Sequence, residues 1–326
     1  MYNIMSKIDT KDKEILYQLD IDSRQSFAQI GKKVGLSKTV VAYRINKLKE
    51  LEIIKNFYAV IDAFKLGYIS FRIYIVYQYM TQEVEEEIIK WFVSQKLTWW
   101  TITAEGRFDL AVIMWVKDVN DFYSFWETTL RKYRDYFANQ FFSVYVQIYG
   151  YRHSYLLGDE ARGNRTKFEI TGGGKPVETD ELDFKILRLL APNARMPIKE
   201  IAQRLNTTVT VVNYRIKKLM KKGVIQGFRT DIDFFKLGYR FFKADVYLRD
   251  YKQRGNIINY VKSNPHLIRI DRSVGISDLE LEFHVKSLTQ FHTIMRDIMN
   301  QFPDNIRRYE YVYASKLHKM NYMPEE

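Results

Sequence analysis

From Asp9 onward the apolar positions fall three and four residues apart. Ile15, Leu16 and Leu19 share a face with Asp12, and Asp9 or Thr10 can cap the start, so the spacing predicts a helix over residues 9–19. Phe27, Ile30 and Val34 form the stripe of a second, shorter helix, which Gly35 stops because glycine takes left-handed backbone without strain. Ser37 caps a third helix. In it Val41, Ile45 and Leu48 turn inward, which leaves Lys38, Thr39, Ala42, Tyr43 and Asn46 on the other side. From Phe71 the period changes to two, and Phe71, Ile73, Ile75 and Tyr77 read as a strand. A helix over 83–95, a hairpin centred on Gly106, a strand carrying Leu110, Val112, Met114 and Val116, a helix bearing Phe122, Phe125, Trp126, Tyr133 and Phe137, and a final strand over 141–149 follow. The order strand, helix, strand, strand, helix, strand is the split βαβ, ferredoxin-like arrangement.

The pattern then runs a second time. Asp12 recurs as Asp183 and Gly67 as Gly238, a displacement of 171 residues that needs no gap between them. Arg24 falls on Arg195, Thr39-Val40-Val41 on Thr210-Val211-Val212 and Tyr43-Arg44-Ile45 on Tyr214-Arg215-Ile216, while Phe64 to Tyr68 recurs unchanged as Phe235 to Tyr239. Such runs mark a duplication, and the period is too long for a solenoid. The chain therefore divides into a first helical domain (1–62), a first βαββαβ domain (63–157), a linker (158–178), a second helical domain (179–233) and a second βαββαβ domain (234–326). The linker is polar and contains Gly172-Gly173-Gly174; as a flexible coil it would reach ~25 Å. The expected fold is α+β: two winged-helix-like helix-turn-helix domains alternating with two ferredoxin-like domains.

Charge sharpens this reading. The 326 residues hold 51 Lys and Arg against 39 Asp and Glu, a formal net charge of +12, which favours an anionic partner. No stretch approaches the ~20 apolar residues that span a bilayer, no amphipathic basic helix has a free apolar face, and residues 1–10 lack the apolar core of a signal peptide, so a cytoplasmic protein without a membrane partner is expected. The absence of cysteine excludes disulfides and thiolate metal sites, and the five histidines are scattered, so neither a metal nor a cofactor is expected.

A short helix, a glycine turn and a longer basic helix is the helix-turn-helix plan, whose last helix enters the major groove N-terminus first. The candidate DNA contacts are Ser37, Lys38, Thr39, Ala42, Tyr43, Arg44, Asn46 and Lys47 in the first copy, and Thr208, Val209, Thr210, Asn213, Tyr214, Arg215, Lys217 and Lys218 in the second. Lysines and arginines here add affinity through phosphates, and the outward polar side chains can read base edges. At the second turn Asn206-Thr207-Thr208 replaces Gly35-Leu36-Ser37; asparagine tolerates left-handed backbone and Thr208 can cap, so the turn is expected to survive. The copies differ elsewhere too. The alternate face of one strand is apolar in copy one (Ala111, Ile113, Trp115) and polar in copy two (Glu280, Glu282, His284, Lys286), which predicts a solvated or inter-sheet polar face.

Asp12, Ile15-Leu16, Arg24, Ile30, Gly35-Leu36-Ser37, Val41, Arg44-Ile45, Leu48 and Ile54 closely resemble the Lrp/AsnC (feast/famine) family of transcriptional regulators, as do Asp183, Ile186-Leu187, Arg195, Val212, Arg215-Ile216 and Leu219 in the second copy. The βαββαβ unit is similar to that family's ligand-binding and oligomerising domain, whose hairpin carries Gly-x-x-Asp; here that is Gly106 to Asp109 and Gly275 to Asp278. The resemblance implies a sequence-specific regulator of double-stranded DNA. It further implies an amino-acid or other small-molecule effector near Gly106, Asp109, Gly275 and Asp278, and an intramolecular pseudo-dimer able to form further homo-oligomers. Set against the effector reading is a purely structural turn of glycine and aspartate. Two other functions compete: a siroheme decarboxylase-like enzyme of the same fold, for which the first sensor domain offers only His153 beside Arg152, and an architectural DNA coater.

Overall fold

The computed structural model describes residues 8–158 and 168–324. Each half opens with the three expected helices. Helix α1 (Thr10–Ile21) starts at Asp9, whose carboxylate accepts from the Asp12 N–H at 2.9 Å while the Asp12 carboxylate accepts from the Asp9 N–H at 3.1 Å. Asp180 and Asp183 repeat this reciprocal cap on α6 (Glu181–Leu190). Helix α2 (Phe27–Val34) ends on Gly35 at φ 70°, and after α7 (Ile198–Arg204) the equivalent turn is made by Asn206 at φ 48°, so the second turn keeps its left-handed residue. Helices α3 (Lys38–Glu50) and α8 (Val209–Lys221) bury the expected Val41, Ile45, Leu48 and Val212, Ile216, Leu219.

The strand after each third helix does not fold back as a wing of its own domain. Strand β1 (Ile54–Ile61) pairs antiparallel with β7 (Ile225–Ile232), forming a two-stranded ribbon that crosses between the halves. The flanking backbone bonds are reciprocal: Ser23 N–H donates to Phe228 O at 2.9 Å and Ala194 N–H to Phe57 O at 2.7 Å; Asp62 N–H donates to Val224 O and Asp233 N–H to Ile53 O, both at 2.8 Å. Reciprocity of this kind is what a two-fold joint produces.

The remaining strands make one closed structure. The first half supplies β2 (Ile69–Tyr77), β3 (Thr98–Gly106), β4 (Leu110–Val116) and β5 (Phe137–Tyr151), with helices α4 (Gln82–Ser94) and α5 (Val119–Tyr133) between them. The second supplies β8 (Arg240–Leu248), β9 (Leu267–Val274), β10 (Leu279–Val285) and β11 (Ile306–Met320), with α9 (Arg254–Val261) and α10 (Leu288–Gln301). Within a half the strand order is β5-β2-β4-β3 or β11-β8-β10-β9. Edge strand β3 pairs with β11 and β9 with β5, so the two sheets close into an eight-stranded antiparallel ring. Helices cover its outside: Ile73, Ile75, Leu110 and Val112 meet Ile88, Phe92 and Trp126 in one half, and Val246, Leu281 and Phe283 meet Ile257, Phe291 and Met295 in the other. Each such buried side chain contributes ~1.5–3 kcal/mol.

Part of the linker is ordered. Residues 168–172, expected as flexible coil, form β6 (Phe168–Gly172) against the end of β5. The reason is a buried charge: Glu169 lies 2.5 Å from Arg152 Nη1 and 3.6 Å from Arg229 Nη1, two cations that the first half and the crossed ribbon bury at its edge. Arg229 also donates through Nε and Nη2 to Asp20 Oδ1 at 2.9 and 2.6 Å, while the His153 N–H donates to Asp20 Oδ2 at 2.7 Å. This cluster ties α1, the ribbon, the end of β5 and the linker together.

The inside of the ring is where the copies differ. Glu280, Glu282 and His284 are buried there, as the inter-sheet reading expects, whereas Lys286 at the strand end is exposed. Arg72 of the first half reaches across to Glu280, donating from Nη2 to Oε1 at 2.7 Å, lies 3.5 Å from Asp271, and donates from Nε to Ser143 Oγ at 2.9 Å. Lys243 binds Asp245 and lies 3.1 Å from Glu280. Burial alone would raise the Glu280 carboxyl, but Arg72 and Lys243 pull it down to about 2; burial and the neighbouring Glu282 charge push the Asp271 carboxyl up. Two cations thus face two carboxylates, which is what lets so many charges leave water.

Two outcomes follow from these clusters. Arg72→Met leaves Glu280 buried without its main cation and should lower the unfolding free energy in urea by about 3–5 kcal/mol, with Glu280→Gln in the same chain recovering part of the loss; an unchanged midpoint would contradict the account. Burial raises the Asp20 carboxyl but Arg229, His153 and Arg152 outweigh it, bringing it to about 2 from an ordinary 3.8. Because the folded value is the lower one, its contribution of about 2 kcal/mol is complete above roughly pH 4 and disappears as the pH falls from there to about 2. Comparing the pH dependence of stability with that of Asp20→Asn measures it.

Candidate nucleic-acid interface

The two third helices present their N-terminal turns and one polar side to solvent. Ser37 Oγ accepts from the Val40 N–H at 3.3 Å and Thr208 Oγ1 from the Val211 N–H at 3.2 Å, so both residues cap as the spacing predicts. Beyond the caps Lys38, Thr39, Tyr43 and Asn46 are exposed, with Ala42 and Lys47 half-buried. In the other half Val209, Thr210, Asn213, Tyr214 and Lys217 are exposed and Lys218 is half-buried. Tyr43 is 69% and Tyr214 63% accessible, an unusual display for so large a ring, and each sits one turn into its helix. Hydroxyls, amides and ammonium groups on a helix whose N-terminus carries partial positive charge are suited to phosphates and base edges.

Superposed by the repeat, the faces share Thr39 and Thr210, Tyr43 and Tyr214, and Lys47 and Lys218. They differ at Lys38 and Val209, at Ala42 and Asn213, and at Asn46 and Lys217.

Two sequence candidates turn elsewhere. Arg44 Nη1 donates to Asp9 at 2.9 Å and to Asp12 Oδ1 at 2.8 Å, and Arg215 Nη1 binds Asp180 and, at 3.2 Å, Asp183. Each arginine is held by the pair of carboxylates that caps the first helix of its own half, so it locks the third helix to the first instead of reaching outward. Helical spacing puts these residues on the flank of the face but carries no information about the acids waiting across the interhelical gap.

The Gly-x-x-Asp hairpins occupy equivalent joints. Gly106 at φ 113° lies so close to β11 that a Cβ would meet Tyr311 O at 2.8 Å; Gly275 at φ 146° lies so close to β5 that a Cβ would meet Phe142 O at 2.6 Å. Asp109 Oδ2 accepts from the Tyr77 N–H at 2.7 Å and Asp278 Oδ2 from the Leu248 N–H at 2.8 Å, satisfying the last residue of β2 and of β8. In both copies, then, the four residues seat a hairpin of one half against a strand of the other.

Sequence reasoning missed the crossed ribbon and the Asp20 cluster. The signal available for the latter was the mismatch of the repeat, which sets Ala191 against Asp20 and Tyr58 against Arg229. The repeated Arg24 and Arg195, singled out by the duplication, lie over Phe228 and Phe57 of the ribbon at 5.0 and 5.3 Å. Among the described residues no group of acids and histidines is placed to hold a metal ion, and no helix is long and apolar enough to cross a membrane.

Comparison with known proteins agrees with this anatomy. The AsnC-type helix-turn-helix domain matches residues 8–49, and the winged helix-turn-helix DNA-binding domain matches 179–226. An uncharacterised HTH-type transcriptional regulator of Pyrococcus furiosus is 32% identical over 143 residues, 44% of this chain and 90% of the relative. One from Pyrococcus horikoshii is 30% identical over 151 residues, 45% and 93%, and the regulator LrpB of Bacillus subtilis is 25% identical over 123 residues, 38% and 83%. Each relative thus matches less than half of this chain. Over its whole length the fold is similar to that of the siroheme decarboxylase NirDL, with TM-score 0.65, 13% identity, and 96% of this chain and 94% of that one covered. On the strength of its regulator relatives and both helix-turn-helix matches, the chain belongs to the Lrp/AsnC family of helix-turn-helix transcriptional regulators.

Proposed function

We propose that the chain acts as a sequence-specific DNA-binding regulator in which one polypeptide does the work of a dimer. The observation that carries this reading is the pair of solvent-facing helices α3 and α8, each capped, each displaying threonine, tyrosine and lysine at the same positions, and joined through one ribbon. Two recognition helices on successive major grooves stand ~34 Å apart, the spacing this arrangement has to meet. Thr39, Tyr43 and Lys47, with Thr210, Tyr214 and Lys218, supply the contacts common to both half-sites; Lys38, Ala42 and Asn46, against Val209, Asn213 and Lys217, make the half-sites unequal.

The likeness to siroheme decarboxylase is one of fold at 13% identity, whereas the relatives at 25–32% identity are named as regulators, which favours a regulator over an enzyme. For an effector, the support is the resemblance of the Gly106 to Asp109 and Gly275 to Asp278 hairpins to the family signature.

Selection from random duplexes by the full chain tests the proposal. The expected product is a motif with two related but unequal halves, bound ~10³-fold or more tighter than random DNA at physiological salt. A ratio near unity would make the protein a coater, and no binding at low salt would end the DNA reading. Asn213 can pair bidentately with adenine, where Ala42 can only touch a thymine methyl. Asn213→Ala should therefore relax one base position in one half-site, weakening its preferred site by about 1–3 kcal/mol, and Ala42→Asn should make the selected motif more symmetric.

A further inference from the structure

At one end of the barrel the strand termini face the underside of the crossed ribbon, and two chambers of about 130 and 140 Å³ lie between them. The repeat relates one to the other. Tyr58, Gly150, Arg229, Arg269 and Met320 line both. Beneath β1 the lining includes Ser70, Trp99 and Trp115; at the equivalent positions beneath β7 stand Phe241, Ile268 and His284. The strand that carries Trp115 carries Ile113 two residues earlier, and the strand that carries His284 carries Glu282. The chamber beneath β7 therefore holds an acid and an imidazole side by side on one face of β10, where the matching strand positions of its counterpart are the apolar Ile113 and Trp115.

Neither polar group is fully used by the fold. Glu282 is buried, and its Oε2 receives no hydrogen bond; the cation beside it is Arg269 Nη1 at 3.3 Å. His284 is also buried, and its Nδ1 lies 2.9 Å from the Tyr155 hydroxyl. Burial pushes the Tyr155 phenol up, so it keeps its proton and donates to Nδ1. Burial, with the nearby His153, Arg269 and Arg229 charges, pushes His284 down, so the ring is neutral and carries its own proton on Nε2. An occupant thus meets one acceptor and one donor.

Charge and size restrict what fits. Arg229 is held by Asp20 and Glu169, Arg269 by Glu282, and Lys55 lies 3.2 Å from Asp233, so the ionic lining is balanced and favours no ion. Trp100, Phe234, Phe241 and Leu317 form the apolar wall, with Phe234 stacked on His284 at 3.8 Å. A dry cavity of ~150 Å³ takes up one benzene, so about 140 Å³ admits a single six-membered ring.

We propose that the chamber beneath β7 is a binding site for an uncharged, single-ring aromatic bearing a hydroxyl, of the phenol class. The ring lies against Trp100 and Phe241, and the hydroxyl donates to Glu282 and accepts from His284 Nε2. The counterpart chamber, with Ile113 and Trp115 at those positions, does not offer the pair, so each chain binds one molecule.

Calorimetric titration of the full chain with phenol, toluene and benzoate tests this in the absence of DNA, so failure overturns the site and leaves the DNA-binding reading untouched. The expected result is saturable binding of one phenol per chain, with toluene weaker by about tenfold or more because it leaves Glu282 unmet, and benzoate weaker because it adds a charge beside Glu282. His284→Phe should lose phenol selectivity over toluene, with a lowered thermal midpoint because the buried Tyr155 hydroxyl loses its acceptor. If that variant does not fold, the comparison of the three probes on the unaltered chain still decides. No saturable binding, two phenols per chain, or equal affinity for phenol and either analogue would overturn the proposal.

Discussion

A four-stranded ferredoxin-like sheet has two edges, and each edge leaves backbone N–H and C=O groups without partners. In this protein the edges of one half are met by the edges of the other, β3 by β11 and β9 by β5, so no edge of either sheet is left open. Nearly everything else follows from that closure. It creates an interior between the sheets, brings the Gly-x-x-Asp hairpins against opposite strands, and sets the strand ends beneath the crossed ribbon that carries the helical domains.

The interior also explains why the copies have drifted apart. In a symmetric dimer a charged side chain near the axis faces its own duplicate, and like charges in a buried space repel. Within a single chain the two sides can specialise. Arg72 from one half meets Glu280 and Asp271 from the other, and Arg107 from the first hairpin lies 2.5 Å from Glu310. A pair of identical first halves would leave Arg72 without an acid, because Ile102 and Ala111 stand where Asp271 and Glu280 do. The ionic interior therefore selects the unlike partner, at a desolvation cost that a purely apolar seam would avoid.

Much of this was legible in the residues. Period-two alternation through Phe71, Ile73 and Ile75 identifies a strand because only a sheet sends successive side chains to opposite faces, and Val41, Ile45 and Leu48 identify a helix face for the complementary reason. Glu280, Glu282 and His284 announced a polar face, though not that Arg72 would close it. What escaped were partnerships across distance. Nothing local to Arg44 shows that Asp9 and Asp12 will claim it, and nothing in Phe168-Glu169-Ile170 shows that β5 has an unmet edge beyond its pairing with β2. Periodicity reports which side of an element is wet; it is silent about what stands opposite.

Covalent linkage of the halves changes how such a protein responds to its own abundance. A regulator assembled from separate subunits loses its bivalent form on dilution, and its occupancy of a target rises with roughly the square of subunit concentration while dimers are scarce. Here the barrel closes within one molecule; under the proposal that one chain does the work of a dimer, the competent form does not dissociate when copies are few, and occupancy tracks the number of chains to the first power. Scarcity weakens such a regulator gradually, without a threshold.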